Sequence, residues 1–172
     1  MLNGFFSGAF PLSLRILITG GTFDKYYDAI QGELTFHESH LPAILRQARV
    51  TLPITIEVCL LKDSLHFSDD DRQAILTACQ RSLEQQIVIV HGTDTMAQTG
   101  QMLQQAAMPK TIVLTGAMVP YAIRESDALF NLGFAIAVAQ CQPEGVYIAM
   151  NARVWPAHQV IKNKKLGIFE SV

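Results

Sequence analysis

Two stretches of this 172-residue chain share one design. Ile16-Leu17-Ile18 runs into Thr19-Gly20-Gly21-Thr22, and Ile87-Val88-Ile89-Val90 runs into His91-Gly92-Thr93-Asp94-Thr95. Each apolar run has the length and β-branched content of a strand buried on both faces. Each then meets a glycine turn that presents threonine hydroxyls. Sheets buried on both faces are α/β sheets, and their ligands bind at the carboxyl ends of the strands. Two such turns point to one site with two threonines, and so to hydroxyl chemistry.

The rest of the chain agrees with such a sheet. Strand patterns cover residues 15–19, 55–60, 87–91, 111–115 and 145–150. Helical patterns lie between them, over residues 39–49, from Ser68 to Leu83, and over 95–107 and 126–141. The first opens with a serine cap and carries Pro42 in its first turn. In the second, Ser68 precedes Asp69, Asp70 and Asp71, an N-cap with acidic residues where the helix dipole favours them. The alternation predicts an α/β fold: a doubly wound, mostly parallel, Rossmann-like sheet with helices on both faces, in a single domain. Residues 24–38 show little regular pattern. A loop of that length in a compact domain is usually functional or mobile.

Composition narrows the function classes. Hydrophobic residues make up 49% and charged residues 16%, a globular profile. A chain of this length buries roughly 70% of its unfolded surface and needs no staples. The net charge of −2 favours neither nucleic acid nor an anionic membrane. No apolar run approaches the roughly 20 residues that span a bilayer. Residues 1–14 are apolar but lack the basic start of a secretory signal, so they are expected to stay in the mature protein. Cys59, Cys79 and Cys141 are odd in number and widely spaced. They read as reduced, buried thiols of a cytoplasmic protein, with no zinc-like spacing. No metal site is expected.

Each threonine turn has competing readings. Gly20-Gly21-Thr22 can be a plain strand-to-helix turn, a phosphate cradle, or a close backbone approach to a ligand. Gly-Gly-Thr-Phe-Asp also resembles the opening of nucleotidyltransferases that continue with a proline and a His-x-Gly-His pair. Here Lys25 replaces that proline, Tyr27 stands where the first histidine belongs, and His37 and His40 come too late. In the second turn, Asp94 offers a carboxylate for an ammonium group and Thr93 a hydroxyl for proton transfer. Alternatively, Asp94 or Thr95 caps the next helix. A nucleophilic hydroxyl needs a base beside it. A lysine can serve when its surroundings lower its pKa. Lys162 is a candidate, although spacing does not select it over Lys164 or Lys165.

Four motifs occur in order: Thr-Gly-Gly-Thr at 19–22, His-Gly-Thr-Asp-Thr-Met at 91–96, Leu-Thr-Gly-Ala-Met-x-Pro at 114–120, and Ser126-Asp127-x-x-x-Asn131-Leu132. Together they resemble the bacterial L-asparaginase/glutaminase family over nearly the whole chain. The resemblance implies an amidohydrolase without metal or organic cofactor that converts L-asparagine to L-aspartate and ammonia. It implies Thr22 as nucleophile, assisted by a tyrosine of the following loop, with Tyr27 chosen and Tyr26 the alternative. Thr93 and Lys162 would move protons, and Asp94 would hold the substrate's α-ammonium. Ser64 matches a binder of the α-carboxylate, with Asp63 able to take part instead. Backbone groups of the Gly21 and Gly92 turns would hold the oxyanion, and the Ala117 carbonyl would face the substrate amide.

Asp69–Asp71 is expected to start a helix rather than bind metal, and the lysines at 162–165 to be a solvated face. His37, His40, His66 and His158 are expected at the surface or in polar networks. His91 is expected to be a structural neighbour of its turn. Usual members of the family continue into a second, smaller domain, whereas the sequence ends at Val172. The expectation is therefore a short form with an open site, weaker affinity, and self-association as a homo-oligomer (dimer or tetramer). Its partner is a small-molecule substrate, with no nucleic acid and no membrane. A non-catalytic amino-acid-binding or interaction module is the alternative.

Overall fold

The computed structural model describes residues 13–172. The apolar start at residues 1–12, read above as part of the mature protein, lies outside them.

The strands are β1 (Leu14–Gly20), β2 (Tyr26–Asp28), β3 (Glu33–Thr35), β4 (Ile54–Lys62), β5 (Gln86–Val90), β6 (Thr111–Thr115), β7 (Gly145–Met150), β8 (Arg153–Pro156), β9 (Val160–Asn163) and β10 (Ile168–Ser171). The helices are α1 (Leu41–Gln47), α2 (Asp69–Arg81), α3 (Met96–Gln105) and α4 (Ala128–Cys141). Six strands form the central sheet in the order β4-β1-β5-β6-β7-β8. All its pairings are parallel except β7 with β8. The predicted α/β class and mostly parallel sheet are thus observed.

Two hydrophobic cores flank the sheet because successive strand residues point to opposite faces. Leu17, Ile87, Ile89, Ile112 and Leu114 face one way and pack with α2 and α3. Ile16, Ile18, Val88, Val90 and Val113 face the other way, with Leu41 and Ile44 of α1 and Ala128, Leu132 and Ala135 of α4. Burial on both faces explains why these strands read as continuous apolar runs rather than alternating ones.

The helix starts are sharper than the sequence patterns. In α2, Ser68 and Asp71 form a reciprocal capping box, and Lys62 pairs with Asp71 at 2.7 Å. Hydrogen bonds from Lys62 and the Ser68 N–H hold the Asp71 carboxyl at about 2. α1 is shorter than residues 39–49: the Leu41 N–H donates to Ser39 Oγ, and the chain leaves the helix before Arg49, at φ 52°. α4 begins at Ala128, whose N–H donates to Ser126 Oγ.

Three features differ from the sequence reading. The patternless stretch at 24–38 holds the β2–β3 hairpin, with Tyr26 opposite Thr35 and Asp28 opposite Glu33. Such short strands carry too few residues to show a period. Residues 153–171 hold β8 and the separate β9–β10 pair. The cysteines are free, but only Cys79 is fully buried; Cys59 is partly so and Cys141 is exposed, at the end of α4.

Chain order places the crevice. From β1 the chain passes through the hairpin and α1 to β4 on one side of β1, then through α2 to β5 on the other. The direction of winding reverses between β1 and β5. That topological switch point is where the ends of parallel strands part to admit a ligand.

Candidate active site

Both threonine turns lie at this switch point, and they touch through their glycines. Gly21 has φ 80°, and a Cβ there would collide with the Gly92 backbone. Gly92 in turn lies over Ser64, where an added Cβ would come within 2.5 Å of the serine Oγ. Glycine at both positions therefore lets three loops, after β1, β4 and β5, close on one another. The Gly21 N–H is already bonded to the Lys62 carbonyl at 3.1 Å. The first turn's remaining backbone approach to a ligand falls to Thr22, which is partly exposed and opens a single 3-10 turn through Asp24.

The second turn is held from a distance in sequence. Lys162, on β9, donates from Nζ to Thr93 Oγ1 at 2.7 Å and to Asp94 Oδ1 at 2.9 Å. Lys164 and Lys165 are exposed. Geometry makes the selection that spacing did not. Thr95 does take the N-cap position of α3, but neither side chain caps the helix: Asp94 Oδ1 faces Lys162, and Thr95 Oγ1 donates to the Ser64 carbonyl at 3.0 Å.

His91 is structural, as read from the sequence. It is fully buried, with Nδ1 2.7 Å from the Gly92 carbonyl and Nε2 2.9 Å from Thr99 Oγ1. A carbonyl only accepts, so Nδ1 carries the proton and Nε2 accepts from Thr99. Burial drives its pKa down to about 4. It stays neutral and props the second turn.

On the β4 side, Ser64 is 1% exposed and its Oγ is buried without a hydrogen-bond partner. Asp63 accepts from the Leu65 N–H at 3.0 Å and from Lys25 Nζ at 2.6 Å. Burial alone would raise the Asp63 carboxyl. The bonds from Lys25 and Leu65 outweigh it and hold the group below the usual carboxylate range. In the sequence Lys25 stands in the irregular 24–38 stretch, at the place of a proline in the nucleotidyltransferase pattern. Nothing local marks it as the partner of a residue 38 positions away.

On the β6 side, Ala117 is buried beside Gly116 in a turn set by two distant side chains. The Asp127 carboxylate accepts the N–H groups of Met118 and Val119. Asn131 Nδ2 donates to the Gly116 carbonyl at 3.0 Å and to Asp127 at 2.8 Å. The Ser126-Asp127-x-x-x-Asn131 motif is thus the clamp of this turn.

Tyr27 and Tyr26 differ sharply. Tyr27 is 64% exposed on the hairpin. The Tyr26 ring lies 4.0 Å from that of His40 and edge-on to His37. Asp24 roots this hairpin: its Oδ1 accepts from Ser39 Oγ and the His40 N–H, while Oδ2 is buried and unpartnered. Burial pushes its pKa up against those two bonds. His37, His66 and His158 are exposed.

Among the described residues, no group of three or more His, Cys, Asp or Glu side chains is placed to hold a metal ion. No described helix is long and apolar enough to cross a membrane.

Comparison with known proteins agrees with this fold. A family model described as "Asparaginase, N-terminal" matches residues 13–172. L-asparaginase 1 of Escherichia coli strain K12 is 29% identical over 160 residues, covering 87% of this chain and 47% of that protein. The solved thermostable L-asparaginase from Thermococcus kodakarensis superposes with a TM-score of 0.83 at 30% identity, over 93% of this chain and 51% of that one. A probable cytoplasmic L-asparaginase from Campylobacter jejuni gives a TM-score of 0.76 at 28% identity, over 92% of this chain and 52% of that one. The chain spans about half the length of these solved structures.

Proposed function

The chain belongs to the asparaginase family, and from that premise we propose that it hydrolyses L-asparagine to L-aspartate and ammonia through a β-aspartyl ester on Thr22. The observation that carries this reading is the contact of Lys162 Nζ with both Thr93 Oγ1 and Asp94 Oδ1, on a turn packed against the Thr22 turn. It links a lysine, a hydroxyl and a carboxylate on a turn packed against the one that carries the candidate nucleophile.

In this mechanism Thr22 Oγ attacks the side-chain amide carbon, and its proton passes by way of Thr93 and Lys162 to the leaving nitrogen. The C–N bond breaks and ammonia departs. Water then attacks the ester carbonyl, its proton returns to Thr22 Oγ, and L-aspartate is released. Backbone N–H groups of the two turns stabilise the oxyanion, and loss of one such donor typically costs on the order of 10²–10³ in rate. Asp94 holds the α-ammonium, the Ser64 hydroxyl receives the α-carboxylate, and the Ala117 carbonyl orients the amide. A tyrosine of the hairpin assists Thr22. Full burial of an unpaired hydroxyl costs free energy unless a partner arrives, which supports Ser64 as a ligand contact.

Two further parts of the proposal are coarser. Three free cysteines fit a reducing compartment such as the cytoplasm. The outward face of α4, with Leu129 and Phe130 exposed, fits a homo-oligomer contact.

The test is ammonia release from L-asparagine and, separately, from L-glutamine by the purified chain. Release from L-asparagine supports the reading. Binding of L-aspartate without any release would instead mark a non-catalytic amino-acid-binding module.

A further inference from the structure

The loops around the threonine turns carry two ion pairs, and the mechanism above uses only one of them. Lys162 with Asp94 stands on the β5 side. Lys25 with Asp63 stands on the β4 side, at 2.6 Å, with both side chains mostly buried. Asp63 adjoins Ser64, whose buried Oγ has no partner. Adjacent residues place the Asp63 carboxylate within about 8 Å of that hydroxyl. An anion arriving at Ser64 therefore meets a negative charge, unless something neutralises it. The neighbouring Lys62 ammonium is engaged elsewhere, with Asp71.

We propose that Lys25 is a specificity-determining residue for the substrate's α-carboxylate, neutralising Asp63 so that an anion can settle against the Ser64 hydroxyl. This rests on the hydrolase reading for its substrate, but not for its physics. At the ammonium end Asp94 is also lysine-paired, through Oδ1, but its side chain keeps contact with solvent, whereas at the carboxylate end Lys25 offsets Asp63. Lys25 acts through Asp63 and touches none of the reacting atoms. It lies three residues beyond Thr22, so its pairing also ties the loop after the nucleophile to the loop after β4.

The experiment separates this electrostatic role from a mere latch. Unit charges at this separation in partly buried surroundings interact strongly enough to change affinity roughly 10- to 30-fold. For Lys25→Met, KM for L-asparagine should rise by about that factor while kcat stays within about threefold. The double variant Lys25→Met/Asp63→Asn should recover most of the loss, since Asn keeps the acceptor for Leu65 but not the charge. L-asparagine α-methyl ester, which lacks the anionic carboxylate, should be handled alike by wild type and Lys25→Met. Equal losses on acid and ester, or a double variant no better than the single one, would overturn the proposal. If the wild-type chain releases no ammonia, the hydrolase reading falls. The comparison then runs by calorimetry with L-aspartate and its α-methyl ester. A loss confined to the free acid supports the role of Lys25. A loss shared by both ligands, or no binding of either by wild type, overturns it.

Discussion

Gly21 and Gly92 meet backbone to backbone across the switch point between β1 and β5, with no room for a Cβ on Gly21. This contact joins the turn carrying Thr22 to the turn carrying Thr93, and Gly92 extends it to Ser64. A methyl group at 92 would come within 2.5 Å of the serine Oγ and 2.7 Å of its Cβ. Overpacking of this kind costs about 1–3 kcal/mol. Gly92→Ala should fold with a lowered Tm and bind L-asparagine more weakly, because Ser64 must move. A variant with an unchanged KM would show that Ser64 does not line the substrate site.

Thr22→Ala should leave a folded chain without turnover. The side chain is only partly buried, so stability should change by about 1 kcal/mol or less. Removal of a nucleophile from a cooperating set costs on the order of 10⁴-fold or more in kcat. Thermal melting and ammonia release measured together check this, and near-normal activity would remove Thr22 from the role.

Lys162→Met preserves the apolar stem and removes the ammonium that touches Thr93 and Asp94. We expect kcat to fall by roughly 10²–10⁴, the usual worth of a positioned proton carrier. Stability should fall by about 1–3 kcal/mol, since Lys162 is mostly buried and the buried Thr93 hydroxyl loses its ammonium partner. A variant that loses stability but keeps its rate would make Lys162 a structural strut.

Acid stability should carry the mark of His91. Its folded pKa lies at about 4, below the unfolded value of about 6.5. The unfolded chain therefore binds the proton first on acidification. The stabilisation is fully present above pH 6.5 and is lost as pH falls toward 4, with a ceiling on the order of 3 kcal/mol. Asp24 has the opposite sign: its carboxyl is raised by burial, so its contribution is complete below 3.8 and lost as pH rises through its folded value. Denaturant titrations from pH 7 to pH 4 should show a decline that flattens in His91→Gln and steepens in Asp24→Asn. An unchanged slope in His91→Gln would mean that the ring does not stay neutral on burial.

Much of the fold was written in local pattern. The strands at β1, β5, β6 and β7 announce themselves because double-sided burial demands unbroken apolar residues, and α2 because Ser68 and Asp71 cap it within four residues. The glycine-threonine turns were legible for the same reason, since a sharp turn after a buried strand calls for glycine. The hairpin at Tyr26–Thr35 was not, because three-residue strands show no period and are held by the Asp24 root and the Tyr26–His40 ring contact.

Residue patterns along the chain specify a doubly wound sheet and a set of residue types fit for hydroxyl chemistry. Which of those residues meet is settled by folding. Lys162 and not Lys164 or Lys165 reaches Thr93, across 69 positions, because β9 returns to the end of β5. Lys25 finds Asp63 because β1 and β4 are neighbours in the sheet. Local residue preferences act over a turn of chain, whereas these contacts depend on strand order and the handing of the chain across the sheet. No spacing along the sequence encodes that order.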